Sequence, residues 1–182
     1  ESALTTAMVC SGAVSAQFIA GKATRDALYL ANLDVTTLPA MVVATAAFSI
    51  LLVFASSRGL RRISPGAFVP VAFAVSAALL LLSFLLTFVT PALAAQAVYL
   101  QISGLGPMLG SGFWLIATER FDPHTAKQHF ARIAAVGTLS GLASALVAER
   151  VAALYGVAWM LPILAGLNLV CAVMTRRLAS VG

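Results

Sequence analysis

Apolar stretches of membrane-spanning length alternate with short polar connections along this chain. Runs such as "FAVSAALLLLSFLLTFV" are continuously apolar and do not alternate every second residue. They therefore lack the dyad pattern of a transmembrane β-barrel. A helix needs about 20 residues, at 1.5 Å each, to cross the hydrocarbon core. Six stretches meet that length, at residues 3–31, 38–56, 67–89, 91–118, 125–148 and 157–174. The fold class expected is all-α integral membrane, a single bundle of six transmembrane helices. Local signals agree. In "DVTTLP", Thr36 or Thr37 can cap the second helix and Pro39 suits its first turn, while "SPG" separates the second helix from the third. The first apolar run lacks a basic leader, so it reads as a span and not as a cleavable signal.

Composition narrows the class further. The chain has 182 residues, 61% hydrophobic and only 9% charged, with a mean hydropathy of +1.00. A soluble domain carries about a quarter charged residues, so a soluble enzyme is not expected. Enzyme signatures are also missing. "GLGPMLGSG" lacks the GK[ST] ending of a phosphate-binding loop, and no Ser/His/Asp set or facing carboxylate pair stands out. Cys10 and Cys171 sit in apolar runs and read as inert buried thiols. His124 and His129 read as solvated hinge residues. No metal, cofactor or nucleic acid is expected.

The cations are distributed unevenly. Short connections force neighbouring helices to run antiparallel, so connections 2–3 and 4–5 share a side with the C-terminal tail. That side holds Arg58, Arg61, Arg62, Arg120, Lys127, Arg132, Arg176 and Arg177. The other side has Arg150, with Lys22 and Arg25 near its edge. The positive-inside rule then puts both termini in the cytoplasm.

Charge also enters the first span, "ALTTAMVCSGAVSAQFIAGKATRDALYLANLD". Counting back from the turn expected near Asn32–Asp34, Lys22 lies about 15 Å inside, near mid-membrane. One reading pairs Lys22 with Asp26 at i, i+4 spacing, with Arg25 snorkelling outward. The other is a cationic site facing a hydrated cavity, because an intramembrane charge is costly. Two cations one turn apart suit an anion with several oxygens, such as a phosphate. Tyr29, one turn after Arg25, can stack on a guanidinium or a base ring.

Two further segments carry candidate chemistry. "SGLGPMLGSGFW" in the fourth span and "GTLSG" in the fifth are small-residue seams, suited to close helix packing or to a bending, gating helix. The hinge "TERFDPHTAKQHFARIAAVG" mixes Glu119 and Asp122 with Arg120, Lys127 and Arg132. Acidic residues contribute little to orientation. A Glu119–Lys127 or Glu119–Arg132 pair clamping the inner ends of spans four and five is expected, with Asp122 among the inner-mouth charges.

"TRDALYL", "SRGLRR" and "FWLIATERFDPHTAKQHFARIAAVGTLSGL" together resemble the ATP/ADP translocase family, the nucleotide exchangers of plastids and intracellular bacteria. These and their wider bacterial relatives form a divergent branch of the major facilitator superfamily. The resemblance covers nearly the whole chain but only the amino-terminal half of such a transporter. It implies a major-facilitator-like half in a bacterial inner membrane, completed by a second six-helix half or an equivalent chain. It implies a cation near the end of span one and an acid near the end of span four, which match Arg25 and Glu119; Lys127 falls in the "AK" after the acid. The substrate set is then Lys22, Arg25, Asp26, Tyr29 and Glu119. This chain has Arg25 where the family's wording has a lysine before the aspartate. The function so implied is exchange of an anionic nucleotide-like metabolite by alternating access. The alternative is a non-transporting membrane anchor or regulator for fused or associated cytoplasmic soluble domains.

Overall fold

The computed structural model describes residues 2–121 and 123–180, with the backbone alone at Ser2 and at 123–126. It is all-helical, with no strand among the described residues. The helices are α1 (Ser2–Asn32), α2 (Leu38–Leu60), α3 (Pro65–Thr87), α4 (Pro91–Arg120), α5 (Pro123–Tyr155) and α6 (Met160–Ser180). Single 3-10 turns at Val35–Thr37 and Val157–Trp159 lead into α2 and α6.

Proline sets most of the starts. Pro39, Pro65, Pro91 and Pro123 each stand in the first turn of a helix, where a missing N–H costs no hydrogen bond. Thr37 stands at the N-cap of α2, as expected, without a side-chain hydrogen bond; Asp34 caps the 3-10 turn before it, its Oδ1 accepting the Thr36 N–H at 2.9 Å. That hydrogen bond, from the Thr36 backbone first, holds the exposed Asp34 carboxyl below its ordinary range. Helix α5 ends at Gly156, whose φ of 95° is open to glycine and strained for other residues. The helices outrun several of the apolar stretches. α2 continues to Leu60, α5 to Tyr155 and α6 to Ser180, because Arg58, Glu149, Arg150, Arg176 and Arg177 are good helix formers that end hydropathy without ending the helix.

Five helices, α1, α2, α3, α5 and α6, are long and apolar enough to cross a membrane. Helix α4 is not among them. Gln96, Gln101, Ser103 and its glycines dilute it, and it packs against α1, α2, α3 and α6. The polar positions are thus carried by a helix largely enclosed by others. By contrast α2 buries only Met41 and Thr45 and turns Val43, Leu51 and Phe54 outward, a surface suited to lipid.

Consecutive helices run up and down, so the ends of α2, α4 and α6 meet the starts of α1, α3 and α5. The core has two large apolar clusters along the bundle and a smaller one of Tyr29, Met41 and Tyr99. One large cluster, at that shared end, joins Cys10, Phe73, Phe113, Ile133, Cys171 and Leu178. The other joins Leu28, Leu80, Val98, Ala148, Met160 and Leu164 at the opposite end. Both cysteines are free and buried, as expected of inert thiols.

The "GTLSG" seam packs. α5 lies along α1 with Gly137 against Ser11 and Ser15, and Gly12 of α1 against Ser140. Three α4 glycines do the same: Gly104 receives Phe48 and Leu52 of α2, Gly106 faces Phe18 of α1, and Gly112 faces Val69 of α3. Helix α4 runs unbroken through Pro107.

Candidate functional site

The two apolar-to-polar transitions of α1 and α4 meet around Arg25. Its Nε donates to Asp26 Oδ1 at 2.8 Å, and its Nη1 donates to Ser103 Oγ of α4 at 2.8 Å. The guanidinium lies over the Tyr99 ring, 4.7 Å from the centroid, close enough for cation–π attraction. Tyr29 packs on Tyr99 with centroids 5.1 Å apart. It also shares a 2.7 Å hydrogen bond with Thr37 Oγ1, tying the cluster to the turn before α2.

Arg25 is the held cation. Its side chain is 18% exposed against 54% for Asp26, so the pair is half shielded and Arg25 faces inward. A guanidinium has five N–H donors. Asp26 and Ser103 engage Nε and one N–H of Nη1, which leaves the second donor on Nη1 and both on Nη2 for a ligand. Tyr29 sits one turn after Arg25, as expected, but it stacks on Tyr99 and not on the guanidinium.

Lys22 departs from the expected pairing. Among the described residues no ion pair joins it to Asp26. It is exposed, with Nζ 4.4 Å from the Phe18 ring centroid, while Asp26 is taken by its neighbour. Helical spacing brought Lys22 and Asp26 onto one face, but Ser103 and Tyr99 hold Arg25 inward, and Arg25 engages the exposed Asp26 carboxylate in place of Lys22.

Glu119 is not brought to this cluster. Arg25 meets α4 at Ser103, and Glu119 lies sixteen residues farther along the same helix, about 24 Å at 1.5 Å per residue. Instead it lines a groove of about 740 Å³ where α4 and α6 end and α3 begins, with Ser64, Gly66, Arg120, Arg176 and Ser180. Arg120 donates from Nη2 to the Ala179 carbonyl of α6. Among the described residues no ion pair joins Glu119 to Lys127 or Arg132, both of which are exposed. The clamp between α4 and α5 is aromatic: Phe130 meets Trp114 at 5.8 Å and Phe121 at 6.0 Å. Asp122 lies outside the described residues, as does the His124 side chain. The His129 ring packs on Phe121 at 5.5 Å, so it is a packed residue and not a freely solvated one. Among the described residues no group of three His, Cys, Asp or Glu could hold a metal ion.

Sequence reasoning missed Tyr99 and Ser103. Their only signal is that they interrupt an apolar span, which packing and site residues do alike. Comparisons with protein-family models, with curated proteins and with solved structures give no match.

Proposed function

We propose that this chain is a six-helix half of an alternating-access transporter for an anionic phosphorylated metabolite of nucleotide type, as its resemblance to the ATP/ADP translocase family implies. The observation that carries the reading is Arg25. It lies within the membrane-spanning length of α1, mostly shielded, bound to Asp26 of its own helix and Ser103 of α4, with the Tyr99 ring beside it and three N–H donors left over. Arginine in that state suits phosphate oxygens, and the buried Tyr29–Tyr99 pair holds it in place. Glu119 belongs to the inner mouth in this reading, and Lys22 to the hydrated approach.

The packing pattern supports the major-facilitator-like half. α1 packs on α5 and α6 as α4 packs on α2 and α3, while α1 pairs with α4 and α3 with α6. Exchange of α1, α2, α3 with α4, α5, α6 therefore maps these contacts onto one another, although the smaller α4–α6 contact has no α1–α3 counterpart of similar extent. Two three-helix repeats of opposite orientation in each half have this form. A second six-helix half, or an equivalent chain, completes the pathway. α4 is the sixth span, solvated by its neighbours more than by lipid. The bilayer is a bacterial inner membrane.

The test is exchange. The full-length protein containing this chain, in proteoliposomes loaded with ADP, should take up labelled ATP, and uptake should vanish without internal nucleotide. Folded protein that exchanges no nucleotide or other phosphorylated metabolite leaves the anchor reading standing.

Orientation follows from the cationic ends. Both termini should be cytoplasmic, so a cysteine at Ser57 should be silent to an impermeant thiol reagent added outside, and one at Thr90 should label. The buried Cys10 and Cys171 keep the background low. Labelling of the Ser57 variant from outside would reverse the topology.

Glu119→Gln should shift the accessibility of the inner mouth, read by labelling a cysteine at Ser64, while insertion stays normal. The cations that line the groove with it are Arg120 of α4 and Arg176 of α6, and Arg132 is not among them, so reversal of Arg132 should not rescue it. An exposed pair contributes about 0–1 kcal/mol, which a near-balanced conformational equilibrium registers as up to about a fivefold change. Unchanged labelling and exchange would reduce Glu119 to a solvated hinge residue.

A further inference from the structure

Each of the four inner helices interrupts its apolar face with a polar residue between the two large apolar clusters. Gln17 follows Val14 and precedes Ala20 in α1, and Ser76 stands between Phe73 and Ala77 in α3. Gln101 stands between Val98 and Leu109 in α4, and Asn168 between Leu164 and Cys171 in α6. Asn168 has no exposed surface and Gln17 is 8% exposed. A carboxamide taken from water into such a place must be hydrogen-bonded.

Some of those bonds are made. Gln101 Nε2 donates to Ser76, at 2.8 Å to its carbonyl and 3.2 Å to its Oγ. That commits the Gln101 amino group and leaves its carbonyl oxygen as an acceptor. Asn168 Nδ2 donates to Leu164 O at 2.8 Å and faces Gln17 Oε1 at 3.4 Å. Gln17 Nε2 and Asn168 Oδ1 have no protein partner. Turning the Gln17 amide over does not help, because it sets one NH₂ group against another. Turning Asn168 sets its oxygen against the Leu164 carbonyl.

Beside Gln17 lies a cavity of about 10 Å³, whose walls include Gln17, Gly21, Ser76, Gln101 and Gly106. A water needs about 10–15 Å³ measured this way, and two to four polar partners. We infer that this cavity is a binding site for one ordered water, which accepts from Gln17 Nε2–H and donates to the Gln101 carbonyl oxygen. The unpartnered N–H repels a bare cation and the carbonyl repels an anion; nothing larger than one water fits. The water completes a hydrogen-bonded chain, Asn168–Gln17–water–Gln101–Ser76, across α6, α1, α4 and α3. It crosses the mid-level of the bundle where apolar packing is interrupted, and it makes these four helices one body with α2 and α5 at its flanks. The inference stands apart from the transport reading.

The test uses the whole protein in nanodiscs with ¹⁵N-labelled glutamine and asparagine side chains, the Gln17 signal being assigned by its disappearance in Gln17→Leu. The expected result is a cross-peak from Gln17 Nε2–H to a long-lived water, indifferent to exchange of potassium for sodium and lost in Gln101→Leu. Absence of the cross-peak in the parent protein overturns the site, as does its persistence in Gln101→Leu. A sodium-dependent shift overturns water in favour of a cation. If Gln101→Leu does not fold, the parent cross-peak and its salt response decide alone.

Discussion

Replacing Gly137 with leucine is expected to lower the thermal midpoint of the detergent-solubilised protein more than any other single glycine substitution in α5. A Cβ at Gly137 would stand 2.7 Å from the hydroxyl oxygens of both Ser11 and Ser15, and 3.6 Å from the Ser11 carbonyl. Ser11 has little room to yield, because its Oγ already donates to the Ile133 carbonyl at 2.9 Å, on α5 itself, and is buried. The added side chain must therefore separate α1 from α5 or break that hydrogen bond. Overpacking of a tight contact costs about 1–3 kcal/mol, and each kcal/mol corresponds to about 2–4 °C for a chain of this size. Gly141→Ala should be milder, since its obstacle is the flexible end of Ile19. Gly110→Ala is the control, because nothing lies within 4 Å of its added Cβ. Tryptophan fluorescence on heating gives the readout. Equal midpoints for Gly137→Leu and Gly110→Ala would show that the α1–α5 contact does not hold the bundle together.

Arg25→Ala is expected to lower the affinity for ATP by about 30-fold or more, equivalent to about 2 kcal/mol, the lower end of what a shielded charge partner costs when removed. The substitution removes the three free N–H donors and also leaves Asp26 without its counter-ion, so that its carboxylate faces the anion's approach. Arg25→Lys keeps the charge but not the planar fork that reaches Asp26 and Ser103 together, so an intermediate loss is expected. Asp26→Asn should bind at least as well as the parent. Lys22→Ala should lose less than Arg25→Ala, because Lys22 is exposed and its charge is better screened by water. Binding in nanodiscs at fixed ionic strength, with inorganic phosphate as competitor, separates these cases. Parent-like affinity in Arg25→Ala, with loss in Lys22→Ala, would transfer the anion site to Lys22 and make Arg25 a strut between α1 and α4.

The sequence by itself determined the helical class, the order of the six helices and the end at which the cations gather. Those properties are written in one dimension: the length of an apolar run, a proline at a helix start, an arginine just past a run. The small-residue seams were legible as well, since a glycine in a long helix has a packing reason more often than any other. Only the tertiary structure decided which cation is held. Lys22 and Asp26 lie on one helical face, yet Arg25 takes the aspartate because α4 brings Ser103 and Tyr99 beside it from 78 and 74 residues away. It also separated Glu119 from Arg25, which meets α4 sixteen residues before Glu119, and it set Gln17, Ser76, Gln101 and Asn168 at one level. A polar residue inside an apolar run looks the same in sequence whether it faces lipid, a ligand or another amide. Which of these it meets depends on the neighbours that helix packing supplies, and no local pattern encodes them.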